Sequence, residues 1–127
     1  MDKGQGPISV LIVDDQALFR RAAESVIGAT PGFEVVAQAA SGEEAVELAS
    51  TLEPALILMD INMTGINGIE ATRRIIAKQP QAVIVLLSTY ALEDLPSDAQ
   101  GSGMSSYVNK EDFGPEVLTD IWAVHHR

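Results

Sequence analysis

The chain of 127 residues contains no cysteine, which excludes disulfides and thiolate metal sites. No apolar run approaches the ~20 residues that a membrane span needs. Residues 1–7 lack an apolar signal core, so we predict a disordered N-terminal segment and a cytoplasmic protein. Lys and Arg number only 8 against 18 Asp and Glu, and the net charge is −10. Direct nucleic-acid binding is therefore disfavoured, because phosphate contacts need clustered basic residues.

What the chain does have is an alternation of two patterns. Short apolar runs typical of buried strands lie at 8–13, 34–39, 55–60, 82–87 and 104–109. Apolar residues at helical spacing follow them at 16–28, 41–52, 69–78 and 113–124. Ser41 with Glu44 forms a predicted capping box for the second helix. This alternation predicts one α/β domain over 8–127, a doubly wound, five-stranded parallel sheet with helices on both faces.

The segment 92–103 is the weak point of the pattern. Pro96 disfavours helical backbone at residue 95, and Gly101 costs roughly 1 kcal/mol relative to Ala inside a helix. Its apolar residues are few: Leu92, Leu95 and Ala99. We therefore predict a weak fourth helix that is short, frayed or displaced, and that is the least stable part of the domain.

Polar residues that can do chemistry follow four of the predicted strands. They are Asp14 and Asp15, Asp60, Ser88 and Thr89, and Lys110. Parallel sheets of this type bind ligands beyond the carboxyl ends of their strands. Three carboxylates in one crevice repel one another and need a cation, and an all-oxygen donor set favours Mg²⁺ over zinc. A nearby lysine and hydroxyl could hold phosphoryl oxygens, with Asp60 as the nucleophile that forms an acyl phosphate.

Each of these residues alone also has an ordinary structural explanation. Asp14 with Asp15, Asp60, and Ser88 with Thr89 could all cap helices, and Lys110 could be a solvated surface lysine. An enzyme of another class is a weaker alternative. A haloacid-dehalogenase-type phosphatase needs Asp where Gln16 stands, and the glycine-rich phosphate loop of flavin or dinucleotide enzymes is absent after the first strand.

In combination, the motifs resemble the response regulator receiver domain of two-component signalling, which has the CheY-like fold, over residues 8–125. Asp14-Asp15 follows the first strand, and Asp60 opens Asp-Ile-Asn-Met-Thr-Gly-Ile-Asn-Gly. Ser88 lies in Val-Leu-Leu-Ser-Thr-Tyr, and Lys110 ends Ser-Tyr-Val-Asn-Lys. Gly-Ile-Glu-Ala-Thr-Arg-Arg-Ile at 68–75 resembles the LuxR-type branch, whose members usually add a helix-turn-helix DNA-binding domain.

The resemblance implies a phosphoacceptor switch. Asp60 would accept a phosphoryl group from a histidine kinase, and Lys110 would pair with that group. Mg²⁺ would be held by Asp15, Asp60 and the backbone carbonyl of Asn62, with Asp14 acting nearby or through water. Such a domain is not an enzyme beyond its self-catalysed aspartyl phosphorylation and dephosphorylation.

The resemblance also implies how the signal leaves the site. Ser88 would bond to the phosphoryl group and move inward, and Tyr107 would follow as the aromatic switch residue. We further expect a homodimer through the face of the fourth helix, fifth strand and fifth helix. DNA would be bound only by an output domain absent from this chain, which lacks a linker or basic tail and is expected to be a receiver cut from a longer regulator. The alternative is an interaction module of the same fold that does not depend on phosphate.

Four positions depart from the family pattern. Thr64 replaces the usual Pro, which predicts a looser loop after Asp60, and Glu111 replaces a Pro that often follows a cis bond. Gln100 stands at an apolar anchor position and Met104 at an Ala position. None of these changes removes a catalytic atom, and the last two fall on the usual output face.

Overall fold

The structure is a computed structural model that describes residues 6–125, apart from the side chain of Leu92. Most of the predicted disordered segment, residues 1–5, lies outside this range. The sheet has five parallel strands: β1 Ile8–Val13, β2 Phe33–Ala39, β3 Leu56–Asp60, β4 Val83–Ser88 and β5 Ser106–Asn109. Their spatial order is β2-β1-β3-β4-β5, and every neighbouring pair is parallel. The predicted sheet is confirmed.

In residues 6–125, three α-helices connect successive strands, a fourth follows β5, and together they cover both faces of the sheet: α1 Ala17–Gly28, α2 Gly42–Leu52, α3 Gly68–Lys78 and α4 Pro115–His125. Side chains alternate along a strand, so successive residues of β1 and β3 enter different halves of the core. Leu11 and Ile57 pack with α2 and α3, whereas Ile12 and Leu58 pack with α1 and α4. This double cover explains why the inner strands are continuously apolar. In the described part of the chain, no helix is both long and apolar enough to cross a membrane.

Two helices that flank the functional end of the sheet begin with side-chain caps. Ser41 Oγ accepts a hydrogen bond from the Glu44 amide at 3.1 Å, and the Glu44 carboxylate accepts one from the Ala40 amide at 2.8 Å. The predicted capping box is therefore present, with its return bond one residue before the cap. Asn67 caps α3 by accepting from the Glu70 amide at 2.9 Å. Each such cap stabilises its helix by about 1 kcal/mol and fixes where the helix starts.

The predicted weak fourth helix takes the form of two 3-10 turns, Leu92–Asp94 and Ser97–Ala99. The backbone between β4 and β5 is fully described and contains no α-helix. Pro96 immediately precedes the second turn, as expected for a residue that cannot continue a helix. Ala99 is buried and anchors the segment, while Gln100 is exposed. The helix predicted as the fifth is α4.

Candidate functional site

Three carboxylates meet at the carboxyl ends of β1 and β3. Val13 pairs with Met59, so the residues that follow, Asp14 and Asp60, lie side by side. One oxygen of each, together with one of Asp15, lies within 4.8 Å of the other two. Asp14 is fully buried and Asp60 is 4% exposed, whereas Asp15 is exposed. Carboxylate oxygens at this spacing fit a hard divalent cation such as Mg²⁺.

Lys110 supplies a positive charge to the same cluster. Its Nζ lies 2.7 Å from Asp14 Oδ2 and 3.2 Å from Asp60 Oδ1. The lysine directly follows β5 and opens a 3-10 turn, Lys110–Asp112, which Asn109 caps by accepting from the Glu111 amide at 2.9 Å. Residues 6–125 contain no cis peptide bond, so the Lys110–Glu111 bond is trans. The lysine thus reaches both carboxylates from a turn built of trans peptide bonds.

The surroundings of Asp60 oppose its negative charge. Burial raises the pKa of the Asp60 carboxyl to about 6, and the charge of Asp14 adds to this effect, while Lys110 partly opposes it. Burial of Lys110 favours its neutral form, but its hydrogen bond to Asp14 and the charge of Asp60 outweigh burial and raise its pKa. A charged lysine therefore faces an Asp60 carboxylate that is costly to ionise. Binding of a cation would relieve that cost.

The structure argues against the capping interpretation of Asp14. The N-cap of α1 is Gln16, whose side chain makes no capping bond. Instead, Asp14 Oδ1 accepts from the Gln16 amide at 2.8 Å, and the backbone carbonyl of Asp14 accepts from Arg20 Nη1 at 2.6 Å. These bonds fix the turn after β1. They leave Asp14 Oδ2 directed at Lys110.

Ser88 lies at the end of β4, next to the strand that carries Asp60. Leu87 pairs with Asp60 and accepts a hydrogen bond from the Ile61 amide at 3.1 Å. The Ser88 hydroxyl accepts from the Tyr90 amide at 3.3 Å, and in the described part of the chain it makes no hydrogen bond to the three carboxylates. Thr89 is exposed. Of the predicted site residues, Ser88 is thus near the cluster but not joined to it.

Tyr107 and Tyr90 form a network beside Ser88. The Tyr107 hydroxyl donates to the backbone carbonyl of Tyr90, with a longer contact of 3.4 Å to that of Ser88, and burial raises its pKa. The Tyr90 hydroxyl donates to Asn62 Oδ1 at 3.3 Å. Tyr90 therefore links the loop after Asp60 to β5. Sequence reasoning missed it, although it lies two residues beyond Ser88 in the quoted motif.

The loop after Asp60 is held from two sides. The Gly68 amide donates to the Ile61 carbonyl at 2.8 Å, and a Cβ on Gly68 would lie 2.0 Å from the Asp60 carbonyl oxygen. Only glycine fits at that distance. From α2, Glu43 Oε2 accepts from the Ile66 amide at 3.1 Å, and this bond lowers the pKa of Glu43. Sequence reasoning missed both contacts, which anchor a loop predicted to be loose because of Thr64.

Comparisons with known proteins agree with this geometry. The family model described as response regulator receiver domain matches residues 10–122. The transcriptional regulatory protein DegU of Brevibacillus brevis is 40% identical over 107 residues, which are 84% of this chain and 45% of DegU. A protein-glutamate methylesterase/protein-glutamine glutaminase of Alkalilimnicola ehrlichii is 41% identical over 104 residues, 81% of this chain and 27% of that protein.

A solved structure extends the similarity. The LuxR-family two-component response regulator of Aurantimonas sp. SI85-9A1 superposes with a TM-score of 0.84 at 31% identity, covering 94% of this chain and 85% of that one. The chain spans about half the length of DegU. The fold and the acidic site define a signalling domain of the doubly wound α/β class. The chain belongs to the response regulator receiver domain family of two-component systems.

Proposed function

We propose that this receiver domain works by accepting a phosphoryl group on Asp60 from a histidine kinase in the cytoplasm. The observation that carries the proposal is the bridge that Lys110 Nζ makes to Asp14 and Asp60 inside a three-carboxylate cluster. A buried carboxylate with a raised pKa and a fixed ammonium at 3.2 Å has the arrangement expected of a nucleophile whose product oxygens need a cationic partner.

In the proposed reaction, an Asp60 carboxylate oxygen attacks phosphorus. The new O–P bond forms as the bond from phosphorus to the donor breaks, and the donor leaves with that electron pair. Lys110 balances charge on the phosphoryl oxygens, which is where charge collects in such transfers. Asp60 must be ionised to attack, so the reaction is favoured above the pH at which its carboxyl titrates.

The donor set fits Mg²⁺, and we propose Asp15, Asp60 and the backbone carbonyl of Asn62 as its ligands, with Asp14 nearby or through water. Bound Mg²⁺ would neutralise charge on the carboxylates and the phosphoryl oxygens. Asp15 is exposed at the mouth of the cluster, where an ion can enter.

The proposed switch uses Ser88 and Tyr107. Ser88 would donate its hydroxyl proton to a phosphoryl oxygen while its oxygen continues to accept from the Tyr90 amide, which ties the start of the β4–β5 connection to the phosphoryl group. Tyr107, bonded to the carbonyl of Tyr90, would then change position with that backbone. A change of charge at Asp60 would in this way alter the surface of the 3-10 turns.

The relatives support a proposal for the partners of the whole protein. We propose that the domain is the receiver part of a LuxR-type transcriptional regulator, that it forms a homodimer through the 3-10 segment, β5 and α4, and that an output domain binds DNA. This chain would then catalyse only its own phosphorylation and dephosphorylation. One relative is a protein-glutamate methylesterase, in which a similar stretch is joined to an enzyme. The DNA-binding nature of the output domain is therefore itself a proposal.

Intact-mass spectrometry after incubation with Mg²⁺ and acetyl phosphate tests the phosphoacceptor. We expect one added phosphoryl group on the parent and none on Asp60→Asn. Asp120→Asn, a change of an exposed carboxylate on α4, is the control and should react like the parent. A parent that stays unmodified, or an Asp60→Asn variant that gains the group, would contradict the proposal. The first result would favour the phosphate-independent module, for which the absence of a fourth α-helix in the described β4–β5 connection is the supporting observation.

A further inference from the structure

Phe19 contacts Lys110, the lysine that bridges the buried carboxylates. It lies in the first turn of α1, and its ring centroid is 4.6 Å from Lys110 Nζ. The ring is half-buried and packs against the core cluster that α1 and α4 share. An ammonium this close to the face of an aromatic ring is attracted by the ring's quadrupole.

Phe113, in the segment that follows Lys110, lies beside the Phe19 ring. The Phe19 and Phe113 ring centroids are 6.5 Å apart with a tilt of 47°. The Phe113 amide donates to the Lys110 carbonyl at 3.4 Å, which ties this ring to the lysine's own turn. Only Phe19, however, has a cation–π contact with Lys110 among the described residues.

This contact differs in kind from the two ion pairs of Lys110. Asp14 and Asp60 attract the ammonium through their negative charge, and a divalent cation bound to the same carboxylates would weaken that attraction and repel the ammonium. The quadrupole of the Phe19 ring does not depend on the ionisation of any carboxylate. The attraction between the Phe19 ring and the Lys110 ammonium would therefore persist when a divalent cation is bound, which is the state in which phosphoryl transfer is proposed to occur.

We propose that Phe19 is a positioning residue that keeps the Lys110 ammonium beside Asp60 during phosphoryl transfer. The inference rests on the proposed function, since it assigns Phe19 a part in that reaction. Removing the ring while keeping an apolar side chain should slow transfer, and restoring a ring should rescue it.

The kinetic test compares Phe19→Leu with Phe19→Tyr. We expect the leucine variant to take up phosphoryl from acetyl phosphate about fivefold more slowly than the parent, the scale of a partly exposed cation–π contact. The tyrosine variant should match the parent. Phe113→Leu is the control, because it removes the neighbouring ring but no contact with the ammonium. Thermal melts check that each variant is folded, and Phe19→Met replaces Phe19→Leu if the latter unfolds.

A second measurement needs no phosphorylation. Protons above an aromatic ring are shielded, so the Cε protons of Lys110 should show an upfield NMR shift in the parent, in Phe19→Tyr and in Phe113→Leu. The shift should be lost in Phe19→Leu, with and without Mg²⁺. A purely structural role for Phe19 would not produce this pattern together with the rate loss.

The outcomes separate the two proposals. A parent that takes no phosphoryl group contradicts the proposed function, whatever the NMR shift. If the parent reacts, the inference fails when Phe19→Leu reacts at the parent's rate. It also fails when Phe113→Leu slows the reaction equally, or when the Lys110 shift is the same in Phe19→Leu as in the parent.

Discussion

The corner that holds Asp14, Asp60 and Lys110 and the segment between β4 and β5 are built in opposite ways. The carboxylates extend from inner strands of the sheet, and all five residues of β3 are buried. The β4–β5 connection has two turns of three residues each and mostly exposed side chains. A buried, closely packed region resists rearrangement, whereas an exposed connection of short turns opens more easily. A switch needs both, because a rigid site must act on something that can move.

Gly68 and Gly101 offer the sharpest way to compare the two regions. We expect Gly68→Ala to destabilise the domain by about 3 kcal/mol or more, because its Cβ would lie 2.0 Å from the Asp60 carbonyl oxygen and neither backbone can yield without disturbing the site. Gly101→Ala meets no atom within 4 Å, and its effect should stay within about 0.5 kcal/mol. Urea unfolding of both variants measures the difference. Equal losses at the two positions would show that the site corner is not the more constrained region.

Asp60→Asn tests whether the negative charge of buried Asp60 destabilises the folded domain. We expect this variant to be more stable than the parent by about 2 kcal/mol at about pH 7.5 without metal, because burial and Asp14 raise the pKa of the Asp60 carboxyl to about 6. A raised carboxyl pKa favours the folded state while the group is protonated. That contribution is complete below the unfolded value of 3.8 and is lost as the pH rises through about 6. The advantage of the variant should therefore grow across this range, as measured by denaturant unfolding at several pH values. A difference in unfolding free energy between the two proteins that does not change with pH would contradict a raised pKa of Asp60 in the folded state.

The parent and Asp60→Asn also test whether Mg²⁺ binds at the three carboxylates. At a Mg²⁺ concentration about ten times its dissociation constant, the parent should gain about 1.4 kcal/mol of stability, since the ion binds only the folded state. Asp60→Asn should gain less, because one charged ligand is gone. Addition of EDTA should reverse the gain. Equal stabilisation of both proteins would place the ion elsewhere.

The sequence predicts the position of a residue best where that position follows from a single strand or helix. Asp14, Asp60 and Lys110 were predicted because each follows an apolar strand, and parallel strands bring their ends together. The contacts of Phe19, Glu43, Tyr90 and Gly68 were not predicted, because each joins parts of the chain that no local pattern connects. Periodicity reports which face of an element is buried. It does not report which atom of a neighbouring element that face meets.

The β4–β5 connection shows the same limit of prediction from sequence. Pro96 and Gly101 correctly predicted a weak helix, but two 3-10 turns with a buried Ala99 are a tertiary solution. The Ser102 hydroxyl donates to the Ala99 carbonyl at 2.7 Å and accepts from the Met104 amide at 3.2 Å, and this pair of bonds ends the segment. Such local side-chain bonds satisfy backbone groups that a continuing helix would otherwise pair.

The smallest expected effect concerns the mobility of this segment. Amides at 92–103 should exchange with solvent at least about tenfold faster than those of Val83–Ser88, whose strand is hydrogen-bonded on both sides by β3 and β5. Phosphorylation of Asp60 should slow exchange at 92–103, because Ser88 and the backbone carbonyl that Tyr107 contacts lie at the start of the segment. Hydrogen exchange with mass spectrometry, on the parent and on Asp60→Asn with the same phosphodonor, measures both effects. Protection at 92–103 equal to that of β4 before phosphorylation would remove the contrast between the two regions. Fast exchange that phosphorylation leaves unchanged would keep the contrast but separate the segment from the switch.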